Sequence, residues 1–326
     1  MTKVAVLDDW QGIARDFADW SKLQAHAEVV FFAKAFANED EAASQLADFD
    51  IVLSMRERTP LPASLINRLP KLRMLGMTGA RNASLDTAAC TARGIVVCYT
   101  VGGGAEAATA ELALGLLIAA ARGITAGDTA IRAGRFQDGV PIGIGLAGKT
   151  LGVIGLGRLG THMARYGRAL NMTVLAWSQN LTEEKAQAAG AELVSKQDLL
   201  SRSDAVSIHL VLSPRTRGLI GAADLAHMKP GAILVNTSRG PIVDETALIE
   251  AVDAGRIIAA LDVFDREPLP PDHPLRRARN TVTTPHLGYG VRQTWENFYP
   301  QMVENALAFL DSKPVRVINP EALDRR

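Results

Sequence analysis

Leu151-Gly152-Val153-Ile154-Gly155-Leu156-Gly157-Arg158-Leu159-Gly160 decides the fold. Leu151–Ile154 is a short apolar run of the kind that forms a buried parallel strand. The glycines at 155, 157 and 160 turn the chain out of that strand and into a helical stretch from Arg158 to about Leu170. Each glycine has its own physical reason: the first makes the tight turn, the second lets backbone approach a pyrophosphate, and the third lets helix and strand pack closely. Free N–H groups and the dipole at the helix start then favour an anion. A lone glycine spacing also suits a merely structural turn. The flanking strand and helix favour a dinucleotide site lined by Gly155, Gly157, Arg158, Leu159 and Gly160.

Outward from this stretch, short β-branched runs alternate with helical patterns. Thr173–Trp177, Ala205–Ile208, Ala232–Val235, Ala259–Val263 and Thr281–Thr283 follow Thr150–Ile154, so six parallel strands are expected in a doubly wound sheet. Upstream, Val4–Leu7, Ile51–Ser54, Leu72–Met77 and Ile95–Cys98 read as strands of a first alternating unit, with a helix near Glu39–Ala47. That unit ends at Val101-Gly102-Gly103-Gly104, a flexible joint by composition. The last helix, Arg292 to Leu310, has no place in the second unit and is expected to cross back to the first. The fold class is therefore α/β: a Rossmann-type nucleotide domain over 103–290 and a flavodoxin-like substrate domain over 1–102 and 291–326, with a cleft between them.

The chain has 326 residues, 48% of them hydrophobic, which suffices for two cores. Its formal net charge is zero, with acids and bases intermixed, which argues against a nucleic-acid partner. Cys90 and Cys98 have no zinc-ligand companions at suitable spacing, so no metal is expected and the thiols read as buried in a reducing cytoplasm. The longest apolar run, Leu112–Ala121, is about half of what a bilayer requires, so no membrane partner is expected. The helix around it, Glu106–Arg122, is apolar over most of its circumference, which points to a homodimer.

Three side chains fall near the carboxyl ends of second-unit strands, where doubly wound sheets bind ligands. Arg239 follows the strand ending at Val235, and its guanidinium suits a substrate carboxylate. His286, between Pro285 and Leu287-Gly288, suits proton exchange with a hydroxyl near neutral pH. Glu267 is a carboxylate that favours the protonated imidazole. Asp262 ends the strand Ala259–Val263 and is a candidate for the nicotinamide amide. The other histidines read as structural, with His209 near the cofactor as an alternative. After Trp177 the chain runs Ser178-Gln179-Asn180. It offers neither the acid expected for NAD nor an arginine for NADP, so Ser178 and Asn180 are the candidates for the ribose or its phosphate, and the reading favours NAD with NADP as the alternative.

With these residues in view, the chain resembles the D-isomer-specific 2-hydroxyacid dehydrogenases, the group that contains phosphoglycerate, glycerate and D-lactate dehydrogenases. Besides the fingerprint, the resemblance rests on Met228-Lys229-Pro230-Gly231-Ala232, Asn236–Glu245, Leu261–Phe264 with Glu267-Pro268, and Thr284–Gly288. It implies hydride transfer between a nicotinamide cofactor and a 2-oxo or 2-hydroxy acid, with Arg239 anchoring the substrate carboxylate, His286 as acid/base and Glu267 tuning it. It further implies that Thr109 stands beside the nicotinamide, and Thr237 and Gly288 in the matched motifs count as cofactor-side residues. In the first unit, Met77–Asn82 resembles a loop whose backbone N–H groups meet the substrate carboxylate, which brings in Gly79, Ala80 and Arg81. Met55–Thr59 resembles a substrate-side loop and brings in Arg56.

There are departures. Gly79-Ala80-Arg81-Asn82 stands where Gly-x-Gly-Val-Asp is common, and this places a cation in that loop. Gly255–Leu261 is one residue shorter than the common form, and Val211 replaces a usual proline. The regulatory extension of some phosphoglycerate dehydrogenases is expected to be absent. Two other functions fit this resemblance: an NAD-sensing co-regulator, and a formate dehydrogenase-like enzyme, which expects glutamine in place of Glu267.

Overall fold

The computed structural model describes residues 1–103 and 105–325; Gly104, within the expected joint, lies outside the described residues. The chain divides into two units. Unit 1 is Met1–Ala105 with Val291–Arg326, and unit 2 is Glu106–Gly290.

Unit 1 is built on a five-stranded sheet in the order β2-β1-β3-β4-β5. Its strands are β1 Thr2–Val6, β2 Ala27–Phe31, β3 Ile51–Ser54, β4 Met74–Met77 and β5 Val96–Tyr99. All four pairings are parallel. β3 and β4 are buried at every position, which is why they read as unbroken apolar runs rather than alternating ones. β2 is absent from the sequence reading. It is an edge strand, half-buried over most of its length, and so carries neither a continuous apolar run nor a clean alternation. The helix Arg292–Leu310 belongs to this unit, as expected, and buries Trp295, Tyr299, Met302, Val303, Ala306 and Phe309. Their spacing of three and four residues keeps them on one stripe.

Unit 2 carries a seven-stranded parallel sheet in the order β12-β11-β10-β9-β6-β7-β8. The strands are β6 Thr150–Ile154, β7 Thr173–Trp177, β8 Glu192–Leu193, β9 Ala205–Ile208, β10 Ala232–Asn236, β11 Ile257–Leu261 and β12 Thr281–Thr283. Two points correct the sequence reading. β8 makes a seventh strand; at two residues it is too short to leave a pattern. β11 begins two residues earlier than read, at Ile257, in register with Ala232 of β10, so Asp262 lies just past the strand rather than within it.

Two apolar clusters cover the two faces of this sheet, one including Leu199, Val206, Leu234 and Leu248, the other Leu117, Met163, Val174 and Ile233. The helix Ala108–Arg122 lies in the second cluster and buries Ala113, Leu116, Leu117 and Ala121. Gly123 ends it in the left-handed region (φ 60°), and the helix Ile124–Arg132 departs at 66°. No single helix among the described residues is long and apolar enough to cross a membrane.

In both sheets the chain reverses direction beside the first strand. β1 lies between β2 and β3, and β6 between β7 and β9. Strand order switches there, and loops leaving neighbouring strands diverge to open a crevice at their carboxyl ends.

Candidate active site

The crevice beyond β6 and β9 is shaped by the three glycines. Gly155 has φ 95°, and a Cβ there would stand 2.5 Å from the carbonyl oxygen of His209. A Cβ on Gly160 would stand 2.0 Å from the carbonyl oxygen of Gly155, so the helix Arg158–Ala169 can approach β6 only through a glycine. Gly157 caps that helix, and a Cβ there would meet nothing within 4 Å. The first and third glycines serve the fold, whereas the second faces open space at a helix N-terminus. Arg158 is exposed and Leu159 half-buried beside it.

Two buried polar atoms around this crevice lack hydrogen-bond partners among the described residues. One is Nδ1 of His209, just past β9; the other is Oγ1 of Thr237, just past β10. Nε2 of His209 is 2.8 Å from Ser207 Oγ. Burial pushes the His209 imidazole down to about 4, so the ring is neutral at physiological pH. Buried polar atoms left unpaired are costly, and a dinucleotide rich in hydroxyl, amide and phosphate groups suits them. Together with the open face of Gly157, they fit a dinucleotide cofactor. At the end of β7, Ser178 is half-buried and Asn180 exposed.

Along the same edge, Asn236 shapes the turn after β10. Its Oδ1 accepts from Ser238 N–H and its Nδ2 donates to the Arg239 carbonyl. Arg239 is half-buried, and its Nη1 donates to the Ser238 carbonyl at 2.6 Å. A Cβ on Gly240 would lie 2.2 Å from the Phe264 carbonyl carbon, so this turn packs directly on the segment leaving β11. That segment carries Glu267. One carboxylate oxygen accepts from Phe264 N–H at 3.0 Å, and the other lies 2.6 Å from His286 Nδ1. The pair is mostly buried, with side-chain exposures of 22% and 16%.

His286 has φ 54°, a conformation uncommon for a residue with a side chain. Such strain persists only when the surroundings enforce it. Here Asp262 enforces it. Its Oδ1 accepts from Thr284 Oγ1 (2.6 Å) and Leu287 N–H (2.7 Å), and its Oδ2 from Gly288 N–H (2.8 Å), pinning the loop on both sides of His286. Complete burial raises the Asp262 carboxyl above its ordinary range, opposed by those hydrogen bonds and by the His286 charge. Thr109 Oγ1 donates to the Gly288 carbonyl at 2.9 Å, tying the helix Ala108–Arg122 to the same loop. Unit 2 thus gathers Arg239, Glu267, His286, Asp262, Thr109, Thr237 and Gly288 along its carboxyl-end edge. The part played by Asp262 in holding His286 was beyond sequence reasoning. Only folding brings Thr284, Leu287 and Gly288 onto one carboxylate.

In unit 1 the residues singled out also lie together. Gly79 has φ 72°, and Arg56 Nη1 lies 2.8 Å from where its Cβ would be, so the guanidinium rests on the glycine. Gly79 N–H donates to Thr100 Oγ1 at 3.1 Å, which engages within unit 1 the donor expected to face a substrate. Ala80 and Arg81 are exposed.

The glycine turn, the histidine–carboxylate pair and the strand-end arginine thus all lie at the carboxyl-end edge of one sheet. Residues 114–288 match the D-isomer specific 2-hydroxyacid dehydrogenase, NAD binding domain. The chain is 38% identical over 284 residues to D-3-phosphoglycerate dehydrogenase of Archaeoglobus fulgidus, covering 87% of this chain and 54% of that one. It therefore spans about half the length of that relative. It is 34% identical over 313 residues to glyoxylate reductase of Korarchaeum cryptofilum, covering 94% of each. The crystal structure of phosphoglycerate oxidoreductase from Vibrio cholerae superposes with a TM-score of 0.90 at 32% identity, covering 96% of this chain and all of that one. The chain belongs to the D-isomer specific 2-hydroxyacid dehydrogenase family.

Proposed function

We propose that this chain interconverts a 2-oxo acid and its D-2-hydroxy acid with a nicotinamide dinucleotide, as a cytoplasmic homodimer. The observation that carries the reading is the 2.6 Å contact between Glu267 and His286 in the unit that holds the dinucleotide cradle. A carboxylate only accepts, so His286 Nδ1 carries a proton and Nε2 is the atom that exchanges one with substrate. In reduction, Nε2 gives its proton to the carbonyl oxygen as that oxygen becomes a hydroxyl; in oxidation it takes the proton back. Glu267 stabilises the imidazolium on which the first step depends. Arg239 forks onto the substrate carboxylate and fixes the carbonyl for attack. The nicotinamide, when bound, supplies or accepts the hydride.

The cofactor would be held by Gly155, Gly157, Arg158, Leu159 and Gly160 at the helix start, by Thr109, Thr237, Asp262 and Gly288 along the strand edge, and by Ser178 at the ribose end. The neutral turn after Trp177 favours NAD over NADP. His209 joins this set through its unpartnered Nδ1. In unit 1, Arg56, Ala80 and Arg81 recognise the acid, with Gly79 giving Arg56 its resting place. Glyoxylate has one carboxylate, already matched to Arg239. Arg56 and Arg81 offer two further cations to a second anionic or polar group on the acid, so an acid larger than glyoxylate is expected to be preferred.

The test is turnover of glyoxylate, hydroxypyruvate and a dicarboxylic 2-oxo acid with NADH and with NADPH, read as nicotinamide oxidation. Activity on none of them overturns the assignment. Glyoxylate as the best substrate overturns the specificity role of Arg56 and Arg81.

A further inference from the structure

Asp8 lies just beyond β1, at the place in unit 1 where strand order switches between β1 and β3. It is 8% exposed, and its backbone is left-handed (φ 62°). Oδ1 accepts from the buried Thr59 hydroxyl at 2.9 Å, and Oδ2 is buried without a hydrogen-bond partner. Thr59 closes the segment Met55–Thr59, a turn in which Arg58 N–H donates to the Met55 carbonyl at 3.2 Å. The other side of this turn is tied to the loop after β4. Arg56 N–H donates to Thr78 Oγ1 and Glu57 N–H to Asn82 Oδ1, each at 3.1 Å. Glu57 is itself left-handed, at φ 59°. A turn with a strained residue at its centre keeps its shape only if both flanks are held. Thr78 and Asn82 hold one flank and Asp8 the other.

We propose that Asp8 is a positioning residue for substrate binding: through Thr59 its carboxylate fixes the turn that carries Arg56, and so sets the affinity for the anionic acid. The proposal rests on the reading of unit 1 as the substrate-recognising unit. The carboxyl has the means to act as more than a passive cap. Burial pushes it up to about 6, against the Thr59 hydrogen bond and the Arg58 charge, so it changes charge near neutral pH. The charged group facing it from the β3 loop is Arg58. On its own segment Asp9 is committed elsewhere, its Oδ1 accepting from the N–H groups of Ile13 and Ala14. The end of β2 meets this segment through the uncharged Phe32 carbonyl. Above the titration, ionised Asp8 makes a charge-assisted bond to Thr59 and holds the turn; below it, the bond weakens.

The test compares wild type, Asp8→Asn and Thr59→Val, each with hydroxypyruvate and NADH from about pH 5 to about pH 8. NADH affinity is measured separately by fluorescence, and hydrogen exchange of residues 55–59 by mass spectrometry. Asparagine tolerates the left-handed backbone and keeps the size of aspartate, so the fold is preserved. The expected result for Asp8→Asn is a KM about tenfold higher at neutral pH, with kcat within about twofold, unchanged NADH affinity and faster exchange in residues 55–59. Wild-type KM falls as pH rises through about 6. Asp8→Asn lacks that step. Thr59→Val loses a contact that lowers the Asp8 titration and so moves the step to higher pH. Wild-type turnover with an unaltered KM profile in Asp8→Asn overturns this proposal alone. So does a parallel loss of KM, kcat and NADH affinity, which marks general damage. No turnover of any 2-oxo acid by the wild type overturns the functional reading and this proposal together.

Discussion

His286 and Glu267 are separated by 19 positions, yet their side chains meet at 2.6 Å. If Nε2 delivers the proton, His286→Ala lowers kcat about 10²–10⁴-fold while NADH binding stays near the wild-type value. A variant within a few-fold of wild type on the best acid takes His286 out of the mechanism. Glu267→Gln keeps the shape of the pair but removes the charge that favours imidazolium. Reduction then slows while NADH affinity stays near the wild-type value; an unchanged kcat shows that the two residues are not coupled. His209 gives a prediction about stability. Its folded value of about 4 lies below the ordinary 6.5, so between those values the unfolded chain binds the proton and the folded one does not. The stability is present above 6.5 and is lost as pH falls toward 4, amounting to about 3 kcal/mol. Denaturant unfolding of His209→Gln should show that acid loss removed relative to wild type. Parallel curves for the two proteins mean that His209 is not held neutral. The residue types at 239, 267 and 286 were legible in sequence because each follows a strand end. The unpartnered Nδ1 of His209 was not, because burial is a property of the packed sheet.

The fingerprint turn is an element whose three glycines separate by substitution. Gly160→Ala puts a methyl 2.0 Å from a backbone oxygen that cannot retreat, so a stability loss of about 3 kcal/mol or more is expected, seen as a lower Tm. Gly157→Ala meets nothing within 4 Å among the described residues, so Tm should hold. If that open face receives the pyrophosphate, NADH affinity nonetheless falls by about tenfold or more. Calorimetry that finds both properties unchanged in Gly157→Ala removes this face from the cofactor site. Strands β6, β7 and β9 coincide with the segments read from sequence, because a strand inside the sheet leaves a compact apolar run between turn signals; the edge strand β12 coincides as well, though only Val282 in it is buried. β2 and β8 escaped that reading. β2 is half-buried over most of its length and β8 has only two residues, so neither leaves a readable run.

For the whole molecule, the apolar side chains of unit 2 are not all covered. Ile124 (52% exposed) and Ile131 (61%) stand two turns apart on one face of the helix Ile124–Arg132, and Phe136 (74%) and Ile142 (99%) follow it. Four large apolar side chains exposed within one short stretch of chain call for a partner. The expected partner is a second copy, giving a homodimer by light scattering at micromolar concentration. Phe136→Asp with Ile142→Asp should yield monomer. A wild-type monomer, or a double variant that remains dimeric, refutes this interface. The sequence reading placed the dimer contact on the helix Glu106–Arg122. That helix buries Ala113, Leu116, Leu117 and Ala121 within unit 2 and leaves Leu112, Leu114 and Ile118 half-buried, so it and the four residues beyond its end both offer apolar surface.

By itself the sequence determined the alternation of strand and helix, the parallel two-unit architecture, the return of the last helix to unit 1 and the glycine cradle. These follow from local rules: apolar run length, helical period, and backbone angles that only glycine adopts freely. Tertiary structure alone decided which atoms meet. It placed Glu267 on His286, spread Asp262 across three donors of the 284–288 loop, rested Arg56 on Gly79 and buried Asp8 beneath Thr59. Hydrogen bonds and the desolvation of a carboxyl depend on distances of a few ångströms between segments remote in sequence, and those distances exist only once the sheets have assembled.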